Sequence, residues 1–468
     1  MTMSTTAPLT GELIAALRRR VGGPVVLDGE PGYDDARTVW NAMIDRRPAA
    51  VVRAATVGDI EPVVAFARET GLPLAVRGGG HNVAGNGTVD GGIVLDLGSL
   101  NRVEVDEASR TVRVPGGATL ADVDRATTPH GLAVPLGVIS GTGVGGLTLG
   151  GGVGWLTRAH GLTIDNLLGA DVVTADGATV RASAEENPEL FWGIRGGGGN
   201  FGVVSSFTFR AHPLGPVVYA GNLVYGAAHW VSALRAYEEW TRDLPDAMTS
   251  ILTFITPPPA LEMGDEPLMI VGFAWASPDH DQGRRVLEPL LAAAPPDDRE
   301  VGPTDWPAWQ SAMDAIFPKG VRAYWKNTSF DRMDDEVIAV LARRAAEQTW
   351  LGTAFDVHHL GGAFARVPEH ATPFPHRSAR FWINIYGFWT GAEDDAARTA
   401  FVRDLAAELA PFATGGQYVN FLGAEEVVDR RGQAEAVYGP EKLERLVALK
   451  RRYDPANLFR LNHNIPPG

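Results

Sequence analysis

The stretch Arg77-Gly78-Gly79-Gly80-His81-Asn82 decides how the rest of the chain is read. It follows an apolar run, Leu72 to Val76, with the character of a short strand. Three consecutive glycines carry no Cβ, so their backbone reaches φ > 0 and lets N–H groups approach an anion closely. Arg77 adds positive charge at the same place. These are the residues of a loop that cradles phosphate, with His81 beside whatever the phosphate belongs to. A glycine-rich turn with a solvated or core histidine would use the same residues, so the choice falls to the rest of the chain.

Upstream, Ala49 to Ala54 reads as a buried strand. Thr56 and Asp59 resemble a capping pair, Ile60, Val63, Val64 and Ala67 follow helical spacing, and Gly71 is placed to end that helix. The opening is therefore strand–helix–strand–loop, preceded by short helices over Leu13–Val21 and Tyr33–Asn41. Downstream come a strand over 91–97, a hairpin pairing Val103 and Val105 with Thr111 to Val114, and a helix from Leu120 to about Gly131. A second glycine block holds Gly137, Gly141, Gly143, Gly145, Gly146, Gly150, Gly151, Gly152 and Gly154. Gly141, Gly143 and Gly146 match the dinucleotide pattern G-x-G-x-x-G. Pro135 and Gly137 interrupt the strand that pattern requires, and the glycines at 150–152 break the helix. No helix N-terminus is expected there to receive a nicotinamide dinucleotide, so NAD(P)H is not an expected partner. A strand over 169–174, an Asp176-Gly177 turn and Pro188 to Trp192 lead to a third glycine block, Arg195 to Asn200, closed by a strand over 203–209.

After about His212 the glycine blocks stop. Ser250–Ile255, Leu268–Trp275, Thr353–Leu360 and Phe381–Trp389 read as strands. Helical patterns lie at Trp230–Trp240, Gln282–Leu291, Asp334–Gln348 and Asp394–Leu409. The expectation is an antiparallel sheet backed by helices. Pro440 is suited to a helix N1 position, and Phe459 to Pro467 forms an extended tail.

The chain has 468 residues, too many for one core. Its 41 Lys and Arg against 56 Asp and Glu leave a formal charge of −15, which disfavours nucleic acid as a partner. The absence of cysteine excludes disulfides, iron–sulfur clusters and thiolate metal sites. Residues 1–10 lack a signal-peptide pattern, and no apolar run reaches the roughly 18 residues of a membrane span, so a cytoplasmic protein without a membrane partner is expected.

Several separated motifs together resemble one family. They are Arg77-Gly78-Gly79-Gly80-His81, Gly91 to Asp96, Gly145-Gly146, the Phe191-Trp192 to Gly202 block, Tyr418-Val419-Asn420, and Tyr453 to Arg460. The chain resembles the FAD-linked oxidases of the vanillyl-alcohol oxidase superfamily, in the berberine-bridge-enzyme-like branch. The resemblance implies an α+β protein with a two-part PCMH-type FAD-binding domain, residues 1–212 and 415–468. An antiparallel-sheet substrate domain backed by helices, residues 213–414, is inserted between the parts. It implies FAD held by Arg77, Gly78, Gly79, Gly80, His81, Asn82, Gly137, Thr142, Gly145, Gly146, Gly150, Gly154, Asn200, Gly202, Val204, Asn462 and Asn464. His81 corresponds to the residue bonded to the flavin 8α-methyl. Many relatives add a cysteine link at what is here Ile139, so any link in this chain is single.

Tyr418 corresponds to the family tyrosine that abstracts a substrate proton; a core tyrosine is the plainer reading. A phenol needs a cationic or hydrogen-bonding neighbour to act as a base near neutral pH. Asn420, like Asn462 and Asn464, is a candidate contact to flavin or substrate, or a turn residue. Thr142 lies where a hydroxyl could steer O₂. Strand alternation puts Asp356 and His358 on one face, and Trp382, Asn384 and Tyr386 on one face. That face either lines a cavity, making Asp356, His358 and Tyr386 catalytic candidates, or is solvated. His358 and His359 point opposite ways, so no metal site is expected. The resulting expectation is an oxidase that removes a hydride from an alcohol, amine or polyketide-like molecule, with O₂ reoxidising the flavin. The alternatives are a flavin dehydrogenase, an oxygenating enzyme of secondary metabolism, and a non-catalytic flavin-binding protein. Oligomeric state is not read from the sequence.

Overall fold

The computed structural model describes residues 9–348, 350–423 and 430–468, so the reading of residues 1–10 falls largely outside it. The strands Ala50–Arg53, Leu74–Arg77 and Ile93–Asp96 form a parallel sheet, with Ile93–Asp96 in the centre and Val25–Val26 added antiparallel at one edge. The crossover between the first two is the helix Ile60–Thr70. Thr56 and Asp59 form a capping box at its entry, and Gly71 ends it at φ 69°. Because Leu74–Arg77 is a parallel strand, its C-terminal end delivers the glycine loop to the edge of the sheet, where ligands of α/β units are bound.

A second sheet of five strands is antiparallel, in the order Glu104–Asp106, Thr111–Pro115, Val203–Arg210, Leu167–Val173, Thr179–Ser183. The glycine blocks emerge from the loops around it. One expectation about them fails. A seven-residue helix, Val144–Gly150, does form within the second block, starting from Gly143. Its buried Val144 and Thr148 hold it in place, and the glycines after 150 end it within two turns. The strand before it has only two residues, Leu132–Ala133, so the surroundings remain unlike a βαβ dinucleotide unit.

The third sheet has seven antiparallel strands, ordered Asp298–Asp305, Val217–Gly226, Leu268–Trp275, Met248–Thr256, Gly352–His359, Phe381–Trp389, Arg322–Phe330. Three of these, at 217–226, 298–305 and 322–330, are not anticipated from the sequence. One face carries Leu223, Leu252, Phe254, Phe355, Val357, Ile383 and Ile385. Against it pack the helices Trp230–Trp240, His280–Ala293, Asp335–Ala346 and Asp395–Leu409. The other face carries Thr253, Asp356, His358, Trp382, Asn384 and Tyr386, in register across neighbouring strands. Period-2 alternation thus separates an apolar core from a polar and aromatic wall.

The C-terminal segment returns to the first half. Gly439 (φ 72°) interrupts the helix Arg430–Tyr453, and Pro440 begins its second part. Lys450 and Asp454 form a fully buried pair at 2.7 Å. Lys450 also donates to the carbonyls of Asn200 and Phe459, so the tail is fastened to the third glycine block. No helix among the described residues is long and apolar enough to cross a membrane.

The first and second glycine blocks touch through backbone alone. A Cβ on Gly79 would lie 2.4 Å from the Gly143 nitrogen, and one on Gly143 would lie 2.2 Å from the Gly79 nitrogen. A Cβ on Gly146, by contrast, would meet nothing within 4 Å. Gly79→Ala is therefore expected to cost ~1–3 kcal/mol or more in the flavin-free protein. Gly146→Ala, on a helix facing open space, is expected to cost nothing and to gain up to ~1 kcal/mol. Chemical denaturation of the two variants side by side checks the contrast.

Candidate active site

A cleft enclosing about 1770 Å³ of non-protein space, part of it open to solvent, lies between the glycine blocks and the polar face of the seven-stranded sheet. One wall holds Gly78 to Asn82, Gly137, Thr142, Gly145, Gly146, Gly150, Asn200, Gly202 and Val204, together with Asn462. The facing wall holds Asp356, His358, Tyr386 and Tyr418. The structure thus brings all five catalytic candidates, including Thr142, into one cleft. Gly154 and Asn464 stand outside its wall. Gly154 abuts the Leu136 carbonyl, 2.1 Å from where its Cβ would lie, and Asn464 is a buried residue of the tail.

The glycine loop does not carry a free cation. Arg77 is buried, donates to Asp96 at 2.8 Å and to the Ala36 carbonyl, and so spends its charge inside the protein. Asn200 is similarly committed: it donates to the carbonyls of Gly197 and His463 and accepts from Ile465 N–H. Both residues line the cleft, but their side chains tie it together.

His81 stacks on Trp40, with ring centroids 4.9 Å apart and planes inclined by 22°. Burial holds its imidazole down at about 4, so at neutral pH the ring is uncharged and retains a nucleophilic lone pair.

Tyr418 is 2% exposed. Its phenolic oxygen accepts two hydrogen bonds at 2.8 Å, from Gly152 N–H and from Asn420 Nδ2. These favour the phenolate, but burial outweighs them and pushes the phenol up to about 12. Asn327 fixes the Tyr418 backbone, accepting from its N–H at 2.9 Å and donating to its carbonyl at 3.2 Å. Asn420 therefore serves Tyr418 and the Leu147 carbonyl, both within the protein.

Asp356 and His358 are buried at 1% and 4% exposure, which replaces the solvated-face reading. Burial raises the Asp356 carboxyl to about 7, with Thr253 and Tyr386 beside it acting in the opposite direction. One Asp356 oxygen, Oδ1, has no hydrogen-bond partner. Burial lowers His358 to about 4, leaving a neutral imidazole. His359 points the other way, against Arg158 and Phe381. Among the described residues no cluster of three or more His, Asp or Glu could hold a metal.

Phe317, Trp325, Phe421, Tyr438 and His463 also line the cleft and are not singled out from the sequence. The signal for Trp325 lay in Tyr324-Trp325-Lys326-Asn327-Thr328, whose aromatic and β-branched content marks the unrecognised strand.

Known proteins share this architecture. Residues 48–183 match the family described as "FAD binding domain", and residues 417–466 match "Berberine and berberine like". An FAD-linked oxidoreductase of Dictyostelium discoideum is 31% identical, over 92% of this chain and 91% of its own. (R)-6-hydroxynicotine oxidase of Paenarthrobacter nicotinovorans is also 31% identical, over 96% and 97%. The chain belongs to the berberine-bridge-like FAD-linked oxidoreductases. The solved structure of 6-hydroxy-D-nicotine oxidase from Arthrobacter nicotinovorans superposes with a TM-score of 0.85 at 28% identity, covering 100% of both chains.

The cleft of this berberine-bridge-like enzyme fits its cofactor, FAD. Gly146 leaves open space along the wall, and a Cβ on Gly199 would meet nothing closer than Asn462 at 4.0 Å. Asn462 Oδ1 and His463 Nε2, on the same wall, are buried without partners, as acceptors or donors awaiting a polar ligand would be.

The raised Asp356 carboxyl is directly measurable. Infrared difference spectra between the enzyme and its Asp356→Asn variant are expected to show a protonated-carboxyl band that fades as pH rises through about 7. A band already absent at pH 5 would place Asp356 in the ordinary carboxylate range.

Proposed function

We propose that this enzyme is a flavoprotein oxidase that removes a hydride from a C–H bond of an uncharged or cationic alcohol, amine or polyketide-like molecule, with O₂ as the electron acceptor. The observation that carries this reading is the convergence of neutral His81, Tyr418 and the Asp356–Tyr386 pair on one cleft opposite the glycine loops. The substrate's charge follows from what the cleft lacks. Arg77 is the one Lys or Arg among its described lining residues, and Asp96 already neutralises it. Trp325, Phe317, Phe421 and Tyr386 offer aromatic faces instead. The activity named for the hydroxynicotine relative is consistent with such a substrate.

The segments 1–212 and 415–468 would form the cofactor part, and 213–414 the substrate part. The seven-stranded sheet, at 217–389, falls within the latter. The FAD would be held by the backbone of residues 78–82, 142–146 and 198–202 and by Asn462, with His81 as its single covalent attachment. Bound FAD supplies the two-electron acceptor. Asp356, at about 7, is the group able to take a proton from a substrate hydroxyl or amine near neutral pH, and the Tyr386 hydroxyl beside it orients its carboxylate. Tyr418, protonated at that pH, directs its O–H toward the substrate while Gly152 and Asn420 hold its oxygen. The aromatic wall and the tail exclude water. Thr142 offers a hydroxyl toward the entering O₂.

Screening alcohols, amines, sugars and polyketides for peroxide release tests the activity. A substrate is expected to bleach the flavin anaerobically and air to restore the colour, whereas NADH or NADPH is expected to leave the flavin oxidised over many minutes. Recovery only with an added acceptor would exclude O₂.

A base must be unprotonated, so the rate of flavin reduction is expected to rise with pH and level off above about 7. Asp356→Asn should cut that rate by roughly 10²–10⁴-fold and abolish the rise. Tyr418→Phe should slow reduction yet retain the same pH midpoint; a midpoint that vanishes in Tyr418→Phe and persists in Asp356→Asn would return the proton to Tyr418.

Acid-precipitated wild-type protein should stay yellow, and His81→Ala should release its flavin.

A further inference from the structure

A covalent bond at His81 needs the imidazole held in one plane, and the hydrogen bond its ring makes is to His81's own backbone. Among the described residues no side chain hydrogen-bonds the His81 ring. The χ2 torsion of histidine is broad, so an unrestrained ring samples many orientations. What faces the ring is Trp40, stacked at 4.9 Å and 22°. Trp40 is itself immobilised. Its N–H donates to the Gly80 carbonyl at 3.0 Å, its carbonyl accepts from Gly320 N–H at 3.0 Å, and its Nε1 donates to the Phe317 carbonyl at 3.2 Å. Phe388 meets it edge-on and Trp325 leans against it. The next residue, Asn41, donates to the carbonyls of Val83 and Ala323 and accepts from Ala323 N–H. Trp40 and Asn41 thus fasten the His81 loop to residues 317–323, at the entry to an edge strand of the seven-stranded sheet.

We propose that Trp40 is the positioning residue for covalent flavin attachment, fixing the plane of the His81 imidazole by stacking and anchoring that plane to the Phe317 carbonyl. This rests on His81 as the attachment residue. A stacked plate restrains rotation while leaving both ring nitrogens without side-chain partners, so one remains available as the nucleophile. In the attachment, a His81 nitrogen bonds to the flavin 8α carbon. One C–H bond of the methyl group and one N–H bond of the imidazole break. The two protons and two electrons pass to the isoalloxazine, and O₂ then takes them as hydrogen peroxide. A nucleophile displaced by about 1 Å loses ~10²-fold in rate. Losing the plate should therefore slow attachment without removing the pyrophosphate loops that bind FAD.

The full chain carrying Trp40→Leu or Trp40→Phe is expressed and purified beside wild type. Total flavin, acid-stable flavin and the thermal midpoint are measured, and attachment is followed after FAD is added to flavin-free protein. Trp40→Leu is expected to keep its total FAD but to attach at least ~10-fold more slowly. Trp40→Phe keeps an aromatic plate without the Nε1 donor, and should attach faster than Trp40→Leu and slower than wild type. Attachment at the wild-type rate in Trp40→Leu, or in Trp40→Phe should Trp40→Leu not fold, overturns the proposal. So does a loss of total FAD as large as the loss of acid-stable FAD, which would make Trp40 a general support of binding. Wild-type protein whose flavin is wholly released by acid overturns the His81 attachment and this proposal together. The other outcomes leave that attachment standing.

Discussion

The backbone-to-backbone contact of Gly79 with Gly143 is the constraint on which the cleft depends. It lets two loops from different sheets lie against each other with no side chain between them. Any Cβ there would push the His81 loop away from the second glycine block and widen the space both must share. The many glycines of the first half therefore serve two purposes. Some, such as Gly79 and Gly143, make room for protein, while others, such as Gly146, face open space in the cleft. Composition alone does not separate these uses, because both appear as glycine in the sequence.

The opposite wall obeys a different rule. A strand offers its two faces to two environments, and the central strands of the large sheet use this fully. Phe355 and Val357 go to the helices, while Asp356 and His358 go to the cleft. Burial then sets the protonation states. The same low-polarity surroundings raise Asp356, lower His358 and raise Tyr418, so at neutral pH His358 and Tyr418 are uncharged and Asp356 is close to half ionised. A site of this kind has little electrostatic attraction for ions and leaves recognition to shape, aromatic contact and a few aimed hydrogen bonds.

This explains which parts were legible in the sequence. The strands Leu268–Trp275 and Phe381–Trp389 match their expected limits because continuous apolar and aromatic runs bounded by polar residues mark them. The edge strand Asp298–Asp305, with its charges, glycine and proline, has almost no strand character of its own. Pairing along Val217–Gly226 makes it a strand. Missing Arg322–Phe330 also hid Trp325 and Asn327. Alternation found the face shared by Asp356 and His358 but not their burial, since that depends on what the first half of the chain lays over the sheet. Resemblance named loops that line the cleft. It did not reveal that Arg77 is neutralised, that Asn200 is occupied by the tail, or that Gly154 and Asn464 lie outside the cleft's lining, because a motif specifies position along the chain and not surroundings in space.

The way Lys450 draws residues 459–463 back onto the third glycine block has a consequence for the life history of the molecule. During synthesis, the glycine loops and His81 emerge early, while the side of the cleft carrying Asn462 and His463 emerges only after the whole seven-stranded sheet. Until then the cleft lacks the part of its lining that these residues supply. A chain ending before Lys450 would lack both that tie and the side of the cleft lined by Asn462 and His463.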